Sequence, residues 1–301
     1  MAADNLVLVA NAGGVGRAVL EHLRAQGVPV RAMVRRDDER ADELRALGAQ
    51  VVIGDLTRPE TVAAALEGVR RMYFAMPVSP DHLLAAAVVA SVARECGQLD
   101  ALVELSQMTV SQMTATSASE SHQQRLHWLA EQVFDWSGLP VVHIRPTSFL
   151  DNPLFTSLAA RTIRENGTIA LPFGTGRTSP VTVEDVARVV ATVLGEPAPH
   201  IGKVYELTGP RSVDMTELAQ EFSRALGRPV SYADVPLERW EADVLAKVGL
   251  PPHVERHIAV MGRLHRENRY DRTADGVERV TGVPAQSIEA FVAARKSLYL
   301  D

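Results

Sequence analysis

The sequence is poor in cysteine, and this scarcity limits what the chain can be. Its 301 residues contain one cysteine, Cys96, so an intrachain disulfide framework and a cysteine-based zinc site are both excluded. Cys96 lies near the end of an apolar run with helical spacing. We therefore expect it to be a buried thiol, in a protein of the reducing cytoplasm.

Long apolar runs are also missing. The longest, from Leu83 to Ala93, is far shorter than the roughly 20 residues that a membrane-spanning helix needs. Residues Met1 to Asn5 show no basic segment followed by an apolar core, so no signal peptide is expected. We interpret Leu83 to Ala93 as a buried helix packed on a sheet, and we expect no membrane partner.

Positive charge is not in excess either. The formal net charge is −6, with 46% apolar and 23% charged residues, which is typical of a globular enzyme. A nucleic-acid partner would need a basic face, so we expect none.

What the sequence does contain is a regular alternation of short apolar runs and helical patterns as far as Arg145. This alternation predicts an α/β fold, a Rossmann-type doubly wound parallel sheet. The predicted strands are 5–10, 28–34, 50–53, 70–75, 101–105 and 140–145, and the predicted helices are 14–26, 39–47, 59–66, 81–94 and 119–136.

The pattern changes after Phe149. A loop-rich stretch contains one predicted helix, 156–164; a helix at 183–194 and a strand at 203–207 then return to the sheet. From Asp214 onward helices dominate, including 252–265 and 287–297, with one short strand at 229–233. We predict a nucleotide-binding Rossmann domain of residues 1–150 and 181–207, and a smaller, mostly helical substrate lobe of residues 151–180 and 208–301.

The loop after the first strand has the composition of a phosphate-binding turn. Gly13 would let backbone approach a phosphate, and Gly16 would let the following helix pack closely on the strand. The helix N-terminus offers free N–H groups and about half a positive charge to an anion. The residues predicted to hold the pyrophosphate of a dinucleotide are Ala10, Asn11, Gly13, Gly14, Val15 and Gly16.

This loop, Ala10-x-x-Gly13-x-x-Gly16, resembles the G-x-x-G-x-x-G motif of extended and atypical short-chain dehydrogenases/reductases. The first glycine of that motif is Ala10 here. A Cβ at a position with positive φ costs about 1–2 kcal/mol, so Ala10 would weaken binding if the turn needs that conformation.

The tip of the second strand carries two arginines where an NAD site usually has an acidic residue. Arg35 and Arg36 can form charge-assisted hydrogen bonds with a ribose 2′-phosphate, while Asp37 and Asp38 follow one residue late. We therefore expect NADP(H), with NAD(H) less favoured. The alternative is that both arginines are merely solvated charges.

Three further strand ends complete the predicted crevice, because ligands of open α/β sheets bind at the carboxyl ends of strands. Gly54-Asp55-Leu56 resembles the adenine-contacting turn of the family, in which Asp55 accepts from the adenine amino group. Its alternative role is to cap the next helix. The cofactor residues predicted at these ends are Asp55, Leu56, Met76, Pro77 and Ser106.

The whole chain resembles the NmrA-like branch of these proteins, which includes quinone-reductase-like and triphenylmethane-reductase-like enzymes and redox-sensing regulators without turnover. The segments that carry the resemblance are the N-terminal motif, 54–56, 137–140, 144–146, 149–152 and 205–209.

Ordinary short-chain reductases carry Tyr-x-x-x-Lys on the helix after the fifth strand, and the resemblance aligns Gln123 and His127 with these two positions. Glutamine cannot donate a proton as tyrosine does, whereas histidine can. The resemblance thus excludes standard alcohol dehydrogenase and epimerase chemistry. It leaves hydride transfer that needs little proton help, with His127 orienting the ribose or donating a proton late.

His127 has an alternative role as a cofactor-contacting or helix-packing residue without chemistry. His122 is the second catalytic candidate. Although His122, His127 and Glu131 share one helix, no further ligand cluster is visible, and we expect no metal.

Aromatic and amide side chains, all but Gln123 after the sixth strand, are candidates for a pocket that takes a planar ligand. The alternative for each aromatic residue is ordinary core packing. The predicted substrate-binding residues are Gln123, Phe149, Asn152, Phe155, Phe173 and Trp240.

These features favour an NADPH-dependent oxidoreductase that transfers a hydride to a small planar electron-poor substrate, such as a quinone or an activated alkene. One alternative is a non-catalytic NADP(H)-sensing regulator or partner-binding protein. Another is a non-redox isomerase or cyclase on the same fold. The expected partner is an aromatic or quinone-like small molecule. A homodimer is a further possible assembly.

Overall fold

The computed structural model describes residues 5–301. The expectation that there is no signal peptide concerns residues 1–5, and residues 1–4 lie outside the described range. Within residues 5–301, no helix combines the length and apolar character needed to cross a membrane.

The central sheet has seven parallel strands in the order β3-β2-β1-β4-β5-β6-β9, so the predicted Rossmann-type α/β fold is confirmed. All four residues of β1 are buried, as expected for a strand covered on both faces. The strand order reverses between β1 and β4, the point where such sheets open a ligand crevice. The strands are β1 (Val7–Ala10), β2 (Val30–Val34), β3 (Gln50–Ile53), β4 (Arg71–Phe74), β5 (Ala101–Leu105), β6 (Val141–Pro146) and β9 (Val204–Leu207).

Helices connect these strands, and local sequence accounts for several of their bounds. The Asp38 carboxylate caps its helix by accepting from the backbone N–H of Arg40 and Ala41. Pro59 is the first residue of the helix that follows β3, a position that proline favours. The helices are α1 (Val15–Ala25), α2 (Glu39–Ala46), α3 (Pro59–Leu66), α4 (His82–Cys96), α5 (His122–Ser137) and α7 (Val183–Gly195).

Cys96 is the last residue of α4 and is exposed, so the expectation of a buried thiol is wrong. The apolar spacing of α4 ends before it: Val92 and Ala93 are buried, while Arg94, Glu95 and Cys96 face solvent. The helix stops at Gly97, which adopts a left-handed conformation.

The chain forms two compact units. Unit 1 comprises the chain up to Val110, Arg125–Arg145 and Val186–Tyr205, and unit 2 comprises Ser111–Gln124, Pro146–Asp185 and Glu206–Asp301. Ser111–Gln124, which the sequence predicts as part of the Rossmann domain, groups with unit 2.

Unit 2 is mostly helical and has its own core, which includes Phe155, Ile163, Phe222 and Phe291. Strand β7 (Thr168–Leu171) pairs in parallel with β11 (Ser231–Asp234), and β8 (Arg177–Thr178) pairs antiparallel with β10 (Val213–Asp214). The predicted helix 156–164 is a π-helical turn, Leu154–Ala159, that leads into α6. Its elements are α6 (Ala160–Asn166), β7 (Thr168–Leu171), β8 (Arg177–Thr178), β10 (Val213–Asp214), α8 (Met215–Leu226), β11 (Ser231–Asp234), α9 (Leu237–Asp243), α10 (Pro252–Arg266), α11 (Gly276–Thr281), α12 (Ile288–Ala293) and α13 (Lys296–Leu300).

Candidate functional site

The loop between β1 and α1 turns at Asn11, whose φ of 80° lies in the left-handed region. Asparagine is one of the few non-glycine residues that tolerate this conformation. Ala10, by contrast, is the last residue of β1 and pairs with Met33 of β2 and Phe74 of β4. The alanine that replaces the first motif glycine therefore carries no left-handed strain, and the structure removes that reason for weakened binding.

The glycines of the loop have separate roles. A Cβ at Gly16 would lie 2.0 Å from the Asn11 carbonyl oxygen, so this position needs glycine. Gly14, with φ 48°, is the N-cap of α1 and has open space where a Cβ would stand, and at Gly13 the atom nearest to such a Cβ is 3.6 Å away. The backbone at the start of α1 is thus accessible from outside, as a helix N-terminus that binds a pyrophosphate must be. Val15, the first residue of α1, is buried.

Arg35, just after β2, extends toward the end of β3. Its guanidinium lies 3.4 Å from one carboxylate oxygen of Asp55, and 65% of its side chain is exposed. The other Asp55 oxygen accepts from the backbone N–H and the hydroxyl of Thr57, at 2.9 and 2.8 Å. These bonds, and then Arg35, hold the pKa of Asp55 below its usual range. Arg36 is exposed beside Arg35, so two cations stand at this strand end.

Asp55 closes the turn ahead of α3, whose N-cap residue is Arg58. The local role of Asp55 is therefore to shape this turn, which is close to its alternative role of capping the next helix. Its other carboxylate oxygen is directed at Arg35. Leu56 is buried in the core of unit 1, so its side chain packs inward.

The ends of β4 and β5 carry the remaining predicted cofactor residues. Met76 is partly buried against the core of unit 1, and Pro77 is exposed. Ser106 is buried, and its backbone N–H donates to the Ile144 carbonyl at 2.8 Å. Within residues 5–301 its hydroxyl has no hydrogen-bond partner. A buried hydroxyl of this kind, at a carboxyl strand end, fits a site for a polar ligand group.

His127 lies on α5 and is half-buried, with its ring against the ring of His82. Gln123 is buried one turn earlier, and His122 is the exposed first residue of α5. His127 belongs to unit 1, whereas His122 and Gln123 belong to unit 2. His82 was not among the predicted site residues, because it stands in no motif. Its position at the first turn of the helix after β4 is the one signal that could have singled it out.

A buried charged cluster joins α5 to β5 and β6. The two nitrogens of the His143 ring lie 2.6 Å from Glu104 and 2.9 Å from Asp135, and Arg145 bonds Glu131 through both carboxylate oxygens. Burial alone would lower the pKa of His143, but Glu104, followed by Glu131 and Asp135, raises it to about 9. Burial raises the pKa of Glu104 to about 7, against the effect of His143. This cluster fixes the helix that carries His127.

In unit 2, the segment Ser111–Gln124 is tied to α10. The Ser121 hydroxyl caps α5 by accepting from the Gln124 N–H and lies 2.8 Å from Nδ1 of His257. Burial lowers the pKa of His257 to about 4, so this ring is neutral near pH 7 and shares one hydrogen bond with the Ser121 hydroxyl. Arg269 adds an ion pair to Glu120 at 2.9 Å.

The predicted substrate residues divide into two groups. Phe155, Phe173 and Trp240 are each about 1% exposed and belong to the core of unit 2, which is the alternative role considered for them. Phe149 and Asn152 are half-buried, and the Asn152 side chain caps the Leu154 N–H at 2.9 Å. A role of any of them toward a substrate stays a prediction.

A search of residues 5–301 finds no group of three histidine, cysteine or acidic side chains arranged to hold a metal ion.

Comparison with known proteins identifies the class that this fold and loop define. The NmrA-like family matches residues 3–294, and this chain belongs to that family. An NAD(P)H azoreductase of Xenophilus azovorans is 30% identical over 296 residues, which cover 98% of this chain and 99% of that protein.

Two solved structures have the same fold. The NADPH-dependent quinone oxidoreductase of Escherichia coli, complexed with NADPH, aligns with a TM-score of 0.83 at 24% identity, over 96% of this chain and 99% of that one. NmrA, a negative transcriptional regulator in complex with NADP, aligns with a TM-score of 0.80 at 18% identity, over 96% and 94% of the two chains.

Proposed function

We propose that this protein is an NADP(H)-dependent reductase of small, planar, electron-poor substrates such as quinones, activated alkenes or azo compounds. The observation that carries the proposal is the combination in unit 1 of an accessible phosphate loop with a histidine, His127, on the catalytic helix of the family. The similarity over nearly full length to an NAD(P)H azoreductase supports the same chemistry.

The cofactor residues are those whose backbone or polar atoms are accessible. The turn at Gly13 and Gly14 would hold the pyrophosphate, and the Ser106 hydroxyl would bond a polar group of the nicotinamide half. Arg35 and Arg36 would bind a 2′-phosphate, which favours NADP(H) over NAD(H). When bound in reduced form, the cofactor supplies a hydride.

The substrate class follows from Gln123, which occupies the position of the catalytic tyrosine of ordinary short-chain reductases. Gln123 cannot protonate a substrate oxygen during hydride transfer. The acceptor must therefore stabilise the resulting negative charge itself, as a conjugated electron-poor system does. His127 then protonates this anion after the transfer.

The test is NADPH consumption by the purified protein with menadione, methyl red and cinnamaldehyde, after its affinity for NADPH and NADH has been measured by calorimetry. We expect tighter binding of NADPH than of NADH, and turnover of at least one probe that His127→Asn reduces tenfold or more. Binding of NADPH without turnover of any probe would contradict a reductase.

A regulatory function is the second candidate, since the fold is shared with a transcriptional regulator in complex with NADP and the Tyr-x-x-x-Lys pair is absent. A redox sensor must bind NADPH and NADP⁺ with different affinities, because a ligand shifts no equilibrium between states that it binds equally. Equal affinities in the same calorimetric experiment would exclude this function.

A further inference from the structure

Four aromatic rings form a chain within unit 1 that ends at His127. The Phe134 and Phe74 ring centroids lie 5.1 Å apart, Phe74 and His82 lie 5.9 Å apart, and His82 and His127 lie 4.1 Å apart. Phe134 and His127 are seven residues apart, so they occupy the same face of α5 two turns apart. Phe74 and His82 fill the space between them.

The members of this chain differ in their access to solvent. Phe134, Phe74 and His82 are fully buried, whereas His127 is half-buried. His82 is therefore the last inner ring, and His127 is the ring from which a proton can pass outward.

The two histidines also differ in how readily they hold a proton. Burial lowers the pKa of His82 to about 4, so its ring is neutral near pH 7. Two imidazolium ions 4.1 Å apart would repel each other strongly. When the pair holds one proton, that proton therefore lies on the outer ring, His127. The other charged groups on this side of α5 are already paired, Glu131 with Arg145 and Glu104 with His143.

His82 also connects His127 to the predicted cofactor site. It is the first residue of α4, and four residues separate it from Pro77, which follows β4. The segment that leads away from this strand end thus places the ring that contacts His127.

We propose that His82 is a positioning residue for His127, holding the His127 imidazole at the strand-end crevice and stabilising its protonated form as the proton donor of the reduction. This inference rests on the proposed reductase function. In the reaction, the substrate accepts a hydride from the reduced nicotinamide and becomes an anion. The His127 N–H bond breaks, its proton forms an O–H or N–H bond on the substrate, and the neutral ring regains a proton from water.

The experiment compares His82→Leu with Phe74→Leu in protein labelled with ¹³C and ¹⁵N histidine. The first variant removes the ring nitrogens, and the second loosens the same ring chain without changing a titratable group. His127→Asn assigns the His127 signals. Since an apolar neighbour disfavours a cation, His82→Leu should lower the pH midpoint of the His127 ring titration by about one unit, equivalent to tenfold. Phe74→Leu should move this midpoint by less than 0.3 units.

Kinetics supply the second readout. With methyl red or menadione, His82→Leu should reduce kcat about tenfold at pH 8 and shift the basic limb of its pH profile to lower pH, while the dissociation constant of NADPH changes less than twofold. If His82→Leu does not fold, His82→Met replaces it, because methionine fills irregular core space.

Two results would overturn the inference: an unchanged His127 midpoint in His82→Leu, or an equal shift in Phe74→Leu, which would indicate packing alone. The titration is measured without cofactor. A failure of NADPH to bind would therefore refute the reductase function while leaving this measurement decisive for the pair.

Discussion

Gly13 and Gly16 stand three residues apart in the phosphate loop, yet a methyl group at the two positions should have different consequences. At Gly16 the methyl would meet the Asn11 carbonyl oxygen, whereas at Gly13 it would make an ordinary contact. We predict that Gly16→Ala lowers the free energy of unfolding by about 1–3 kcal/mol, as expected for overpacking. Gly13→Ala should leave stability within about 0.5 kcal/mol but weaken NADPH binding about tenfold, since its methyl occupies the approach of the phosphate. Urea unfolding and calorimetry measure the two effects, and equal losses of stability in both variants would contradict this division.

Arg35 and Arg36 provide the second test at the scale of single residues. A charge-assisted hydrogen bond contributes about 1.5–3 kcal/mol, so Arg35→Ala combined with Arg36→Ala, which removes at least one such bond, should weaken NADPH binding by about tenfold or more. NADH lacks the 2′-phosphate, and its affinity should change less than threefold. The matched control is Arg94→Ala, which removes an exposed arginine of α4. An equal loss of NADPH and NADH affinity in the double variant would show that the arginines do not read the 2′-phosphate.

At the scale of elements, the His143 cluster links α5 to the sheet and should make stability depend on pH. The His143 pKa is raised in the folded protein from 6.5 to about 9. A raised folded pKa stabilises the protein fully below pH 6.5, and this contribution is lost as the pH rises through about 9. We predict that the free energy of unfolding falls between pH 7 and pH 9.5, and that His143→Gln removes most of this slope. Urea unfolding at half-unit intervals measures it, and an identical slope in the variant would exclude His143 as the cause.

The elements that the sequence predicts well are those with strong periodicity. Strand β1 has a continuous apolar run and helix α1 an amphipathic pattern, and both elements lie where these patterns predict them. The assignment of Ser111–Gln124 to unit 2 could not be predicted in this way. It depends on side-chain ties from distant residues, such as Ser121 to His257 and Glu120 to Arg269, which leave no periodic signal.

Burial is the property that this sequence predicts least well. Aromatic residues such as Phe173 and Trp240 are equally suited to a ligand pocket and a core, and the structure places both in the core of unit 2. Cys96 shows the opposite error: it follows buried Val92 and Ala93 by four and three residues, on the same helix face, but the helix ends there and its last three residues are exposed. His82 was missed because its significance comes from a ring contact 45 residues away in sequence.

At the scale of the whole molecule, cofactor binding and stability are coupled. The loop residues, Arg35, Ser106 and His127 all belong to unit 1, so a bound cofactor would hold together the ends of β1, β2 and β5. A ligand that binds only the folded state stabilises it by about 2.7 kcal/mol at a concentration 100 times its dissociation constant. We predict that NADPH at this excess raises the unfolding temperature of unit 1 by several degrees, and that NADH at the same concentration raises it less. Differential scanning calorimetry measures the shift, and hydrogen exchange of peptides covering 7–25 in unit 1 and 215–226 in unit 2 reports each unit separately. If the two peptides gain equal protection, the units unfold together; if neither does, NADPH is not a ligand of the folded protein.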